Sequence, residues 1–187
     1  DTDGRDYRTL AEVCDYGARV AGTIGVMMAI LMGVKDHATL ARAADLGVAM
    51  QLTNICRDVG EDARAGRLYL PRDLMREAGV DPDAFLRNPV PSAQLTHVIT
   101  QVLTEAERRY QLADEGIRQL PWSCRPGILA ARRLYAEIGH TVVHNDYDSI
   151  SQRAVVPRAR KCQILLGLIR GPAAAPEYML EPCAAEN

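Results

Sequence analysis

Asp45-Leu-Gly-Val-Ala-Met-Gln-Leu-Thr-Asn-Ile-Cys-Arg-Asp-Val-Gly-Glu-Asp62 decides the fold class. With Gly47 at zero and ~100° per residue, Gln51, Asn54, Asp58 and Asp62 fall near 40°, 340°, 20° and 60°, one narrow stripe. The other positions, among them Leu46, Val48, Ala49, Met50, Leu52, Ile55 and Val59, are apolar in several directions. A helix lying on a surface shows a broad polar face, so this one is expected inside the protein. Two carboxylates one turn apart in such a helix repel each other and lose hydration. A cation or hydrogen-bond donors must offset that cost. Mg²⁺ takes oxygen ligands and binds one or two carboxylates together with substrate phosphates. Asn54, Asp58 and Asp62 form an i, i+4, i+8 row and are the candidate metal ligands. Arg57 flanks the stripe, where it meets a phosphate or pairs with Glu61 at i+4. A DxxxD pair alone is a weak signal, since acidic helix ends are usually solvated; an apolar setting makes it informative.

Outward from this stretch the helical pattern continues. Asp36 is a good cap, predicting a helix over 36–62. Upstream, 9–32 reads as helix. Its small residues Gly17, Ala18, Ala21, Gly22 and Gly25 allow a neighbouring helix to approach closely or leave room for a ligand. Downstream, 66–71 reads as an extended loop, 71–78 as a short helix ending before Gly79, and Asn88-Pro-Val-Pro91 as a connector. Leu95, Val98, Ile99, Val102, Leu103 and Ala106 mark an apolar stripe in a helix over 92–120, stopped by Pro121. Further helices are expected over 126–144 and 157–170. Strand signals are nearly absent, and the fold class is all-α. Residues 1–170 read as part of one helical domain and 171–187, rich in Ala and Pro, as a disordered tail.

Composition narrows the function classes. There are 22 basic and 24 acidic residues, a net charge of −2 that gives no pull toward nucleic acid. Five dispersed cysteines without a CxxC pair argue against zinc and disulfide frameworks and for reduced thiols in the cytoplasm. The apolar runs read as too short or too Gly-rich to span a membrane. An oily substrate could still bring the protein to a membrane surface as a peripheral partner. His97, His140 and His144 read as surface residues.

Three blocks carry a resemblance. Gln51-Leu-Thr-Asn-Ile-Cys-Arg-Asp-Val-Gly-Glu-Asp62, followed by Gly66-Arg-Leu-Tyr-Leu-Pro71, resembles the second aspartate-rich signature of the squalene and phytoene synthase family. Tyr16-Gly-Ala-Arg-Val-Ala-Gly-Thr-Ile-Gly25 resembles another of its blocks. Ala131-Arg-Arg-Leu-Tyr-Ala-Glu-Ile138, Ser151-Gln-Arg-Ala-Val155 and Arg158-Ala-Arg-Lys161 resemble its C-terminal helices. The likeness runs in order from Asp6 to Leu168 and is nearest to the bacterial phytoene synthases.

The resemblance implies a helical bundle of the isoprenoid synthase type and head-to-head joining of two prenyl diphosphates through a cyclopropyl intermediate. It implies that Asn54, Asp58 and Asp62 hold Mg²⁺, or Mn²⁺ in its place, against a diphosphate. Gln51 faces the same cavity, Arg57 takes a diphosphate oxygen, and Tyr16 sits near the reacting carbons. Tyr135, Arg153 and Lys161 help to bind diphosphate, although spacing alone reads Arg153 to Lys161 as a solvated basic patch. Val20 and Ile24, one and two turns after Tyr16, either line the hydrocarbon tunnel or are ordinary core. Two geranylgeranyl diphosphates giving phytoene is the leading expectation. Squalene or dehydrosqualene from farnesyl diphosphate, and an inactive relative serving in assembly, are the alternatives. The family's first aspartate-rich motif is not found in these residues, so a fragment lacking the N-terminal part of the bundle, inactive alone, is expected.

Overall fold

The computed structural model describes residues 6–169, and every regular element among them is helical. The elements are α1 (Leu10–Gly17), a π-helical turn (Ala18–Gly22), α2 (Thr23–Leu31), α3 (His37–Arg57), α4 (Val59–Arg64), α5 (Arg72–Glu77), α6 (Pro82–Arg87), α7 (Ala93–Ile117), α8 (Arg125–His144) and α9 (Arg158–Ile169). The all-α expectation holds. The disordered tail expected over 171–187 lies outside the described residues.

The helix starts follow local chemistry. Thr9, Asp36, Asp81 and Ser92 each accept a backbone N–H of the first turn with their side chains, as at Asp36 Oδ1 from Thr39 N (2.8 Å). α3 is central, packed along α7 and against α1, the π turn, α2 and α8. Val48, Ala49, Leu52, Ile55 and Cys56 of α3 join Val98, Ile99, Val102 and Ala106 of α7 in the main core. Thr53 is buried with them; its hydroxyl donates to the Ala49 carbonyl (2.9 Å) and pairs with the Tyr110 hydroxyl (3.0 Å).

The π turn and α2 lie close enough to α3 for backbones to touch. A Cβ on Gly47 would collide with the Ala21 carbonyl, and one on Gly25 with the Ala43 carbonyl. Of the small residues of 9–32, Ala21 and Gly25 serve close helix approach and also line a cavity, so both uses read for them are seen.

Three elements differ from expectation. The helix over 36–62 breaks at Asp58, whose φ of −102° and ψ of 11° divide α3 from α4. α6 appears between the short helix and the connector; Asp81 caps it and Pro82 starts it, a signal passed over in the sequence. Leu10–Leu31 forms a continuous helical rod of 22 residues with mean hydropathy 1.2, long and apolar enough by length and composition to cross a membrane. The sequence reading had dismissed such a run for its glycines, yet here Gly17, Gly22 and Gly25 face α3 without breaking the rod.

Candidate active site

The break at Asp58 leaves the polar stripe intact. Asp58 N donates to the Asn54 carbonyl (2.9 Å) and Asp62 N to the Asp58 carbonyl (2.8 Å), so helical bonding passes through the kink. Asn54, Asp58 and Asp62 therefore line one polar cavity of about 260 Å³. Tyr16, Gln51 and Arg57 share its wall, and so do Arg67 and Tyr69, which the sequence reading had not singled out as site residues.

The two carboxylates are held differently. Arg57 grips Asp58 with two hydrogen bonds, Nε to Oδ1 (2.8 Å) and Nη2 to Oδ2 (2.6 Å). This replaces the alternative pairing with Glu61, because the adjacent carboxylate is turned toward Arg57 at the kink. Arg153 donates from Nε to Asp58 Oδ1 (2.8 Å) and lies 3.3 Å from Glu61 Oε2. The solvated basic patch read from spacing therefore does not describe Arg153. Burial alone would raise the Asp58 carboxyl, but the Arg57 and Arg153 guanidiniums together hold it below the usual range. Asp62 is pushed up, first by burial and then by the Asp58 and Glu61 charges, against the opposing bonds from Arg67 Nη2 (3.0 Å) and Nε (3.2 Å) to Oδ1.

Arg67 and Tyr69 arrive on an extended segment. Leu68 and Leu70 are buried in the core, so strand-like alternation turns Arg67 and Tyr69 toward the carboxylates. That two-residue period, Arg-Leu-Tyr-Leu, was the available signal. Tyr69 stacks on Tyr16 with ring centroids 5.4 Å apart, and Tyr7 completes the cluster 5.1 Å from Tyr16. Burial, then the Tyr69 neighbour, pushes the Tyr16 phenol well above its ordinary value and keeps it protonated.

Arg153 is delivered by a tight turn. After α8, Asp146 and Tyr147 take left-handed φ values of 52° and 60°, reversing the chain. The following residues dock on α4, where Gly60 N donates to the Ser149 carbonyl (3.0 Å) and Arg64 Nη1 to the Ile150 carbonyl (3.1 Å).

A second cavity, of about 340 Å³, shares two wall residues with the first. Gln51 and Asn54 line both; beyond them the wall is mostly apolar, with Leu46, Met50, Ile24, Met28, Ile117 and Ile128. Ile24, one of the two residues expected either to line a tunnel or to be ordinary core, lines this apolar cavity. Val20 lines neither cavity: it falls in the π turn, where i→i+5 bonding shifts the register relative to Tyr16. Tyr135 lies in the apolar cavity wall beside Asn54, close enough to Arg57 to affect its charge. Lys161 is exposed on α9 and lines neither cavity, so its assignment to diphosphate binding gains no support from its position.

The polar cavity suits a hard cation. Asn54 Oδ1 is buried and makes no hydrogen bond, a costly state for an acceptor that a cation or donor would relieve. Two carboxylates and an amide oxygen are the donor chemistry of a Mg²⁺ site. Among the described residues no three His, Cys, Asp or Glu side chains form a metal cluster by themselves, so Asn54 is essential to this reading.

Comparison with known proteins gives the family. The squalene/phytoene synthase family model matches residues 1–160. A phytoene synthase of Rhodobacter capsulatus is 52% identical over 161 residues, covering 86% of this chain and 48% of the relative. One from Cereibacter sphaeroides is 50% identical over 168 residues, covering 90% and 47%. The chain thus spans about half the length of these relatives. A solved dehydrosqualene synthase in complex with a ligand superposes with a TM-score of 0.79 at 30% identity, over 90% of this chain and 59% of that one. The fold is that of the isoprenoid synthases, and the chain belongs to the squalene/phytoene synthase family.

Proposed function

We propose that the protein joins two geranylgeranyl diphosphates head to head, giving phytoene by way of prephytoene diphosphate, in carotenoid biosynthesis. The observation that carries the reading is that Gln51 and Asn54 line both a polar cavity and an apolar one. A prenyl diphosphate has a charged head and a hydrocarbon tail, and so requires both environments. The relatives named phytoene synthase support the C20 substrate.

Asn54, Asp58 and Asp62 would hold Mg²⁺, or Mn²⁺, which when bound supplies Lewis-acid stabilisation of the charge on departing diphosphate. Arg57 and Arg153 orient the diphosphate. Protonated Tyr16 stands in the polar wall against Tyr69, and Ile24 and Met50 exclude water around the chain. Such substrates partition into lipid, so peripheral work at the cytoplasmic membrane surface belongs to the proposal.

The solved dehydrosqualene synthase favours a second reading, condensation of two farnesyl diphosphates. Incubating the intact protein with each diphosphate and Mg²⁺, then identifying the hydrocarbon, separates the two. A C40 product supports phytoene synthesis, and a C30 product alone removes it. No hydrocarbon from either substrate leaves the assembly role of an inactive relative.

A further inference from the structure

Asp58 has both oxygens engaged by guanidiniums, Oδ1 by Arg57 and Arg153 and Oδ2 by Arg57. Oδ1 accepts two bonds and Oδ2 one, so a cation that takes Oδ1 must displace a guanidinium from it. The charges around the cavity also balance: Asp58, Glu61 and Asp62 face Arg57, Arg67 and Arg153. A divalent cation alone would leave two uncompensated positive charges among three guanidiniums. The same cation arriving with a diphosphate would not.

We infer that Arg153 is an exchangeable counter-ion that leaves Asp58 when a divalent cation binds and moves to the incoming diphosphate, coupling the two binding events. The inference rests on the cation and diphosphate reading of this site. Arg57 and Arg153 are not equivalent on Asp58. Arg57 is bidentate, sits in the last turn of α3, and its side chain is 17% exposed. Arg153 makes one bond, sits in a non-helical stretch, is 52% exposed, and has Glu61 Oε2 within 3.3 Å as a second acceptor. Its half-exposed side chain can release Asp58 without losing every carboxylate partner. Release uncovers an acceptor for the cation and supplies a donor for the diphosphate in one step.

Removing Arg153 therefore has opposite effects on the two ligands. In Arg153→Met, Mn²⁺ alone should bind more tightly, by roughly 2- to 5-fold, the worth of an exposed ion pair. Inorganic diphosphate should tighten Mn²⁺ binding much less than in the wild type, the ratio falling by roughly 5-fold, a similar interaction. Removing a nearby positive charge without exchange would also tighten Mn²⁺ binding, but would leave that ratio unchanged, because independent pairwise effects add. Free Mn²⁺ is read from its EPR signal on the intact protein, with and without diphosphate. Arg153→Gln repeats the measurement if the Met variant melts early. An unchanged ratio, or unchanged Mn²⁺ affinity, overturns the exchange. Asp58→Asn separates this failure from the larger one: if it too leaves Mn²⁺ binding unaltered, the metal site itself is wrong.

Discussion

Gly60→Ala sets two forces of opposite sign against each other. Within a helix, Ala is favoured over Gly by about 1 kcal/mol, so an unobstructed replacement would stabilise the protein. At Gly60 the added Cβ would lie 2.6 Å from Ile150 Cα, 2.8 Å from the Ser149 carbonyl oxygen and 2.9 Å from that of Ile150. All three are main-chain atoms and cannot rotate away. Overpacking of this kind costs about 1–3 kcal/mol. Moving the 149–150 segment off α4 also weakens the bonds from Gly60 N and Arg64 to its carbonyls, at about 0.5–1.5 kcal/mol each. Less the propensity gain, the net loss is about 3 kcal/mol, or roughly 6–12 °C in Tm for a protein of this size. Urea unfolding and thermal melts of the variant provide the assay. Because Ile150 is three residues from Arg153, condensation activity should also fall at temperatures where the variant is fully folded. A Tm equal to or above that of the parent would refute the docking of the turn on α4, since only that contact reverses the sign.

Asp58 and Asp62 should respond to pH in opposite directions. Asp58, held low against burial by Arg57 and Arg153, contributes stability above the ordinary carboxylate range that is lost as pH falls through its folded pKa. Asp62, raised by burial and by its acidic neighbours, contributes stability at low pH that is lost as pH rises through its folded pKa. Thermal melts at pH 7 should therefore show Asp58→Asn destabilised and Asp62→Asn stabilised; the same sign for both would defeat the electrostatic account. Ala131→Phe, in the apolar cavity wall, should move preference from geranylgeranyl toward farnesyl diphosphate by at least about tenfold in kcat/KM, the scale of hydrophobic discrimination. A thiol reagent at pH 8 should label exposed Cys162 quickly, while Cys14 and Cys56, buried and with raised pKa values, react only on unfolding.

The sequence showed α3 clearly because burial left only one periodic polar stripe on it, and the row Asn54, Asp58, Asp62 survived the kink through its backbone bonds. Arg67 and Tyr69 were harder to see because their signal is a period of two over four residues inside a helical protein. Arg153 was beyond local reading altogether: it lies 95 positions from Asp58, and the turn that brings it there depends on contacts with Gly60. Val20 failed for a different reason. Helical spacing assumed a uniform α-helix, and the π turn between Tyr16 and Ile24 shifts the register.

Helix α3 also explains why head and tail cavities lie in this order. Leu46, Gly47 and Met50 line the apolar cavity, Gln51 and Asn54 both, and Asp58 and Asp62 the polar one. At 1.5 Å per residue, Gly47 and Asp58 are about 16 Å apart along the axis, enough to separate a diphosphate from much of its hydrocarbon chain. The polar end lies at the break between α3 and α4, where the Asn54 and Asp58 carbonyls are already bonded by the Asp58 and Asp62 amides, so no free helix end faces the cavity. The field there is set by side chains, Asp58, Glu61 and Asp62 against Arg57, Arg67 and Arg153. A cation alone or a diphosphate alone upsets that balance more than the two together, the same coupling that an exchange of Arg153 would produce.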